Sequence, residues 1–195
     1  MTHYFDSPTG PDVRRQITPT IWGKKLTLTT ATGVFSAGRL DPGTAVLLDK
    51  VRPTEGQTGN LLDLGCGYGP IAVALARACP GASVTAVDVN DRALELTRLN
   101  ARDAGVALEA LRPENVPSEW RFDEIWSNPP IHVGKPVLHE LLTTWLARLS
   151  DTGRCYLVVQ KNLGADSLQA WLTKQGWRAE KLASAKGYRV LLVIR

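Results

Sequence analysis

The chain has 195 residues, 44% of them apolar and 22% charged, which is the make-up of one globular domain and excludes a disordered or collagen-like polymer. Its 23 Lys and Arg against 19 Asp and Glu leave +4, an excess that suits an anionic partner and plain solubility alike. No stretch nears the roughly 18 apolar residues of a membrane span, and residues 1–10 lack the charged-then-apolar layout of a secretory signal, so a cytoplasmic protein with no membrane partner is expected.

Residues 1–40 are polar and irregular except for Lys24 to Thr30, where Leu26 and Leu28 alternate with threonines as in a half-buried strand. They read as an arm or β-extension of the same domain, whose main body spans 41–195. Asp41-Pro42 supplies a helix cap and a first-turn proline, and Ala45, Leu47, Leu48 and Val51 carry the helix toward Arg52. From Asn60 onward apolar runs of strand length (61–64, 84–89, 122–127, 155–160) are separated by segments of 3.6-residue periodicity. That alternation predicts an α/β fold, a Rossmann-like doubly wound parallel sheet with helices on both faces. The runs 177–183 and 188–194, joined by Ser184-Ala185-Lys186-Gly187, leave no room for a helix and predict a C-terminal antiparallel hairpin.

The turn after the first strand reads Asp63-Leu64-Gly65-Cys66-Gly67-Tyr68-Gly69-Pro70. Glycines there bring bare backbone against a ligand, although a GxGxG turn alone could serve any nucleotide fold. The third glycine follows the second by two residues rather than three, and Asp63 precedes the turn, which suits a ligand carrying an ammonium group better than a pyrophosphate. Asp88 ends the next strand about twenty residues on, where a carboxylate accepts both ribose hydroxyls; Val89 follows it. An adenosine-containing, cationic ligand is implied, and S-adenosylmethionine fits it better than NAD.

Ile125-Trp126-Ser127-Asn128-Pro129-Pro130-Ile131-His132 follows an apolar strand, which places Asn128 at the crevice shared by Asp63 and Asp88. The prolines fix φ and remove backbone donors, leaving a rigid turn rich in carbonyl acceptors. The Asn128 side-chain oxygen and the Pro129 carbonyl could each accept an N–H of an exocyclic amine and aim its nitrogen at a sulfonium methyl.

Cys66, Cys79 and Cys155 show no CxxC spacing, and His3, His132 and His139 no ligand spacing, so reduced thiols and no metal are expected. Cys66 is expected to pack beside the cofactor rather than act as a nucleophile. Trp145, Trp171 and Trp177 are expected in the core.

In this order the glycine turn, Asp88 and Asn128-Pro129-Pro130 resemble class I methyltransferases that modify planar nitrogens. More narrowly, the chain resembles the "methyltransferase small" group, and within it the small-subunit ribosomal RNA guanine-N2 methyltransferases and their single-domain relatives. The narrower likeness rests on His3-Tyr4-Phe5, Gly33-Val34-Phe35-Ser36, Asp41-Pro42-Gly43-Thr44, Asn128 to Ile131 with Gly134-Lys135, Val158 to Lys161, Gly164-Ala165 and Lys186 to Val190. It implies a seven-stranded sheet, S-adenosyl-L-methionine as donor (S-adenosyl-L-homocysteine as product), and the N2 amine of a guanine in 16S rRNA or the small ribosomal subunit as acceptor. Longer members of the group carry an extra N-terminal copy of the domain, and the chain is expected as a monomer or homodimer. Asn128, Pro129, Pro130 and Ile131 would form the catalytic turn; Asp63, Gly65, Cys66, Gly67, Gly69, Asp88, Val89, Asn115 and Asn128 would hold the cofactor.

Two departures from the family pattern stand out. Ile131 replaces the aromatic residue that commonly stacks on the target base, which leaves Phe35 and Trp126 as candidates. Leu111 stands where an acidic adenine ligand is common, which shifts that contact to backbone groups or Asn115. Phe35, Lys24, Lys25, Lys135, Lys161, Lys186 and Arg189, with Arg14 and Arg15, are the candidate RNA contacts, several of them in segments expected near the crevice. The open alternatives are another planar amine, such as protein glutamine N5 or a different base, and a non-catalytic RNA-binding relative.

Overall fold

The computed structural model describes residues 11–195; the His3-Tyr4-Phe5 segment lies outside the described residues. Seven strands form the central sheet in the order β10-β11-β9-β8-β5-β6-β7. They are β5 (Thr58–Leu64), β6 (Gly81–Val87), β7 (Glu109–Leu111), β8 (Phe122–Ser127), β9 (Leu149–Gln160), β10 (Arg178–Ala185) and β11 (Tyr188–Ile194). β5 pairs in parallel with both β6 and β8, so the winding reverses at β5 and opens a crevice at the carboxyl ends of these strands. Leu64 is level with Val87 on one side and Ser127 on the other. The residues that follow, Gly65, Asp88 and Asn128, therefore leave the sheet at one edge.

The C-terminal hairpin forms as the sequence predicts, and its second strand lies inside, with β11 antiparallel to both β9 and β10. Its turn is the two-residue pair Lys186 (φ 49°) and Gly187 (φ 81°), the left-handed pairing that matches the twist of a tight hairpin.

Helices cover both faces. α1 (Pro42–Lys50), α2 (Pro70–Ala78) and α3 (Asp91–Asp103) bury Leu47, Leu75 and Leu94 against one face, together with Trp126 and Tyr156 from the sheet. On the other face, α4 (Lys135–Leu146) and α5 (Ala165–Lys174) bury Leu142, Trp145 and Leu172 against Phe122, Ile125 and Leu157. Trp145 is in the core as expected, whereas Trp171 and Trp177 only pack partly buried against it. Trp171 stacks flat on His139, with ring centroids 3.9 Å apart.

The N-terminal extension differs from the expected single strand. Lys24 to Thr30 divides into β3 (Lys24–Lys25), which forms a hairpin with β2 (Thr20–Ile21), and β4 (Leu28–Ala31), which pairs with β1 (Arg14–Ile17). All four residues of β4 are buried, so the threonine side of the alternation does not face water. The reason is α3: buried Asn100 accepts from Thr29 N (2.7 Å) and donates to Thr29 O (2.8 Å), clamping β4 against the helix.

Candidate functional site

Each candidate side chain owes its place to the strand that ends just before it. After β5 the backbone turns through Gly65 (φ 75°), Gly67 (φ 57°) and Gly69 (φ 86°), conformations that favour glycine. A Cβ built on Gly65 or Gly67 would meet nothing within 4 Å, so both present bare backbone to open space. Gly69 differs, because a Cβ there would fall 2.8 Å from Thr97 Cγ2 of α3. The turn is tied down from below: Gly65 N and Cys66 N donate to Val87 O (2.8 and 3.0 Å), and Thr97 Oγ1 donates to Gly67 O (3.0 Å).

Asp88 anchors the same turn from the neighbouring strand. Its Oδ2 accepts from Gly67 N (2.8 Å) and its Oδ1 from Asn90 N (2.9 Å), so one carboxylate shapes both the glycine turn and the start of α3. Burial raises its pKa above the ordinary carboxylate value, against the lowering effect of these amides. Each oxygen still has a lone pair for an incoming hydroxyl.

Asp63 lies behind the turn, fully buried, with Oδ2 accepting from Ala72 N of α2 (2.9 Å) and Oδ1 buried without a partner. Burial pushes its pKa up to about 8, aided by the charge of Asp88 and opposed by the Ala72 amide. The Cys66 thiol is also raised well above its ordinary range by burial and by Asp88 and Asp63, so it stays a packed thiol rather than a nucleophile.

Asn128 follows β8, whose end is fixed by Ser127 Oγ donating to Leu64 O (2.7 Å). The Asn128 Nδ2 donates to Asp41 Oδ1 (2.7 Å) and Thr44 Oγ1 (3.1 Å), both on the first turn of α1. Both amide hydrogens are thereby used, and the amide oxygen is left as an acceptor. Pro129 is buried, Pro130 and Ile131 are half-buried, and Ile131 packs against the core beside α4.

Two hollows meet at Gly65. One is lined by Phe35, Asp41, Thr44, Cys66, Gly67 and Asn128 among others; the second, more apolar, by Asp88, Val89, Pro113, Pro130, Val137 and Leu141 among others. The structure thus gathers Gly65, Cys66, Gly67, Asp88, Val89, Asn128, Pro130 and Phe35 around one crevice, with Asp63 and Gly69 supporting it from behind. Asn115 is exposed and does not line the second hollow, where Pro113 of the same turn stands instead. A larger hollow of about 610 Å³ at the amino ends of β5 and β6, flanked by Trp120, holds none of the candidate residues.

The candidate RNA contacts divide. Phe35 is 60% exposed at the mouth of the crevice. Trp126 is corrected: it is fully buried, packed on Tyr156 with centroids 4.8 Å apart and donating through Nε1 to Glu124 (2.8 Å), and cannot stack on a base. Lys135, Lys161 and Lys186 are exposed around the carboxyl edge of the sheet. Lys24 and Lys25 do not border the crevice; they flank Arg77 at the far end of α2, a nine-residue helix about 13 Å long. Arg189 is 15% exposed and ion-paired with Asp166, and Arg14 is paired with Asp12 and Glu95.

Asp41 and Thr44 are the site residues that sequence reasoning missed. Asp41 does cap α1, accepting from Thr44 N at 2.9 Å. Its second role joins residues 87 positions apart and has no local signature.

Comparison with known proteins accords with this geometry. The family model "Methyltransferase small domain" matches residues 25–192. A relative from Bacillus subtilis (strain 168), the uncharacterized protein YbxB, is 32% identical over 193 residues, covering 97% of this chain and 96% of that protein. The Aeromonas hydrophila ribosomal RNA small subunit methyltransferase C is 38% identical over 128 residues, covering 65% of this chain and 36% of its own length. Among solved structures, the T. thermophilus 16S rRNA N2 G1207 methyltransferase (RsmC), in complex with AdoMet and guanosine, superposes with a TM-score of 0.83 at 30% identity, covering 96% of this chain and 52% of that one. The chain therefore spans about a third to a half of the rRNA methyltransferases it matches. With the family model covering the domain from β3 to β11, the chain belongs to the methyltransferase small domain family.

Proposed function

We propose that the chain transfers a methyl group from S-adenosyl-L-methionine to the exocyclic N2 amine of a guanine in 16S rRNA. The crevice fits the donor on its own features. Gly65 and Gly67 offer bare backbone facing open space, Asp88 keeps acceptor capacity for ribose hydroxyls, and the apolar slot of Val89, Pro113 and Leu141 suits a planar base. The unpartnered Asp63 Oδ1 offers a buried acceptor behind the turn, and a cationic ammonium group beside it would favour ionisation of a carboxyl that burial otherwise keeps protonated up to about pH 8. When bound, the donor supplies a methyl activated on a sulfonium.

The chain's own part is to hold the acceptor. The observation that carries the reading is the Asn128 amide, whose hydrogens are spent on Asp41 and Thr44 and whose oxygen is left to accept an N–H. With the Pro129 carbonyl as second acceptor, the amine is fixed by both hydrogens and its nitrogen is directed at the methyl group. The lone pair of an aromatic amine is delocalised into its ring, and two acceptors that favour a tetrahedral nitrogen lower the cost of withdrawing it. No base has to act first, because the nitrogen becomes acidic once alkylated. Phe35, exposed at the mouth, favours a planar base over a glutamine side chain as acceptor.

The test is transfer of labelled methyl to undermodified 16S rRNA and 30S subunits, with nucleoside mass analysis of the product. N2-methylguanosine is expected, and Asn128→Ala should abolish turnover while donor binding persists. Label on a protein glutamine, or none in any nucleoside, refutes the assignment.

A further inference from the structure

We infer that Asp41 is a positioning residue that sets which face of the Asn128 amide meets the acceptor, and so makes the site select an amine. The inference rests on the proposed reaction. A primary amide is nearly symmetric in shape but opposite in hydrogen-bonding sense at its two ends: with NH₂ turned to the crevice it would repel an amine, and with oxygen turned there it accepts one. What decides between the two orientations is the partner on the other side.

That partner is built into the first turn of α1. Asp41 Oδ1 sits 2.7 Å from Asn128 Nδ2, and Thr44 Oγ1 sits 3.1 Å from the same atom. A carboxylate accepts and never donates while ionised, so it tolerates only the NH₂ end. The carboxylate is itself held, because the same Oδ1 accepts from Thr44 N at 2.9 Å. Gly43 lets this turn close up: a Cβ there would come within 2.9 Å of Tyr188 Cε1 and 3.0 Å of Asp41 Oδ1. The turn is thus packed against β11 on one side and bonded to the Asn-Pro-Pro turn on the other. Among the described residues, Asp41 is the one carboxylate lining the hollow that contains Asn128.

The capping and orienting roles can be separated by substitution. Ser is as good a helix cap as Asp, so Asp41→Ser keeps the bond to Thr44 N, but its shorter side chain withdraws the acceptor from Asn128. Asp41→Asn keeps an oxygen in the original place and serves as the conservative rescue. The first readout needs no acceptor: in the protein without substrate, the Asn128 side-chain NH₂ should give a pair of ¹⁵N-resolved proton signals protected from exchange, assigned by their loss in Asn128→Ala. Asp41→Ser should sharply reduce that protection, leaving only the longer bond to Thr44 Oγ1, and Asp41→Asn should restore it. The second readout is turnover on undermodified 16S rRNA. Asp41→Ser should lower kcat by about 100-fold, the scale of a misplaced reacting group, with donor affinity and melting temperature within error of wild type, and Asp41→Asn should recover most of the loss. If Asp41→Ser does not fold, Thr44→Val, which removes the second acceptor, replaces it and should weaken the same protection.

Wild-type protection in Asp41→Ser, or wild-type turnover in that variant, overturns the inference. So does an Asp41→Asn variant as slow as Asp41→Ser, since charge rather than orientation would then be the requirement. If the protection pattern holds but no variant, nor wild type, labels guanine, the orienting role stands and the acceptor assignment is what fails.

Discussion

Asp63 should make the stability of this protein fall as pH rises through the neutral range. In the unfolded chain its carboxyl ionises near the ordinary 3.8, whereas in the folded protein burial holds the proton until about 8. Between those values the native state binds more protons than the unfolded state, so raising the pH favours unfolding; below about 4 and above about 8 the two states titrate alike and the effect is flat. Each factor of ten in the proton equilibrium is worth about 1.4 kcal/mol, which sets a ceiling of about 6 kcal/mol on the loss across the window. That is a large share of a domain stability of about 5–15 kcal/mol. Relaxation around the ionised group makes a loss of several kcal/mol the realistic scale. The assay is urea unfolding of wild type and Asp63→Asn at unit steps from pH 5 to 9. The amide keeps an oxygen for Ala72 N and cannot ionise, so the difference between the two proteins isolates the carboxyl. Stability of wild type relative to the variant should drop by about 1 kcal/mol per pH unit up to about pH 8 and then level off. Profiles parallel within about 0.5 kcal/mol over the whole range would refute the argument, because the proton would then not be bound more tightly in the folded state.

Two glycines of one turn should respond differently to alanine. Gly69→Ala forces a Cβ to 2.8 Å from Thr97 in addition to a left-handed backbone and should cost about 2–4 kcal/mol of stability, read by urea melts; Gly65→Ala meets no protein atom, should cost about 1–2 kcal/mol, and should instead abolish donor binding in a titration. The two exposed-versus-buried aromatics separate in the same way. Phe35→Ala should leave the melting temperature unchanged and raise KM for rRNA by about tenfold, whereas Trp126→Ala should cost about 3–5 kcal/mol of stability; equal effects of both on KM would contradict the assignments.

Six of the seven strands of the central sheet and the edge at which Gly65, Asp88 and Asn128 emerge were legible because they depend on local pattern: apolar runs, helix periodicity and turn residues, each read within about ten positions; β7, only three residues long, leaves no such run, and the seventh strand was expected from the resemblance alone. Asp41 was legible as a cap for the same reason. What escaped depends on packing between distant segments. Trp126 sits in a run buried on both faces of the sheet, Ile125, Trp126 and Ser127, and nothing in such a run tells a buried ring from one turned to a crevice. Arg189 looks like a free cation until α5 brings Asp166 beside it. Lys24 and Lys25 sit on a hairpin whose position is fixed by Trp22, and its indole donates to Leu48 O (2.7 Å) and Val51 O (3.0 Å) at the far end of α1. No periodicity of the chain carries that contact.

The same packing explains why the N-terminal extension bears on the crevice although it supplies little of its lining. Asn100 Nδ2 donates to Thr29 O of β4 and also to Tyr68 O of the glycine turn, each at 2.8 Å. With its oxygen accepting from Thr29 N, this fully buried side chain has a partner at each end and holds the extension and the glycine turn as one unit. Beyond β4, Asn90 Nδ2 of the α3 cap donates to Gly33 O (2.9 Å), and Tyr68 OH donates to Arg39 O (3.3 Å), so the segment carrying Phe35 is pinned on both sides of the aromatic ring. α1 is then capped by Asp41, already bonded to Asn128. From β4 to α1 the chain thus runs as a continuous strap from the glycine turn to the Asn-Pro-Pro turn, each end fixed by side-chain amides. On the proposed reaction, a strap fixed at these points would hold Phe35 in a set relation to the Asn128 oxygen, and a base would engage both to present its amine.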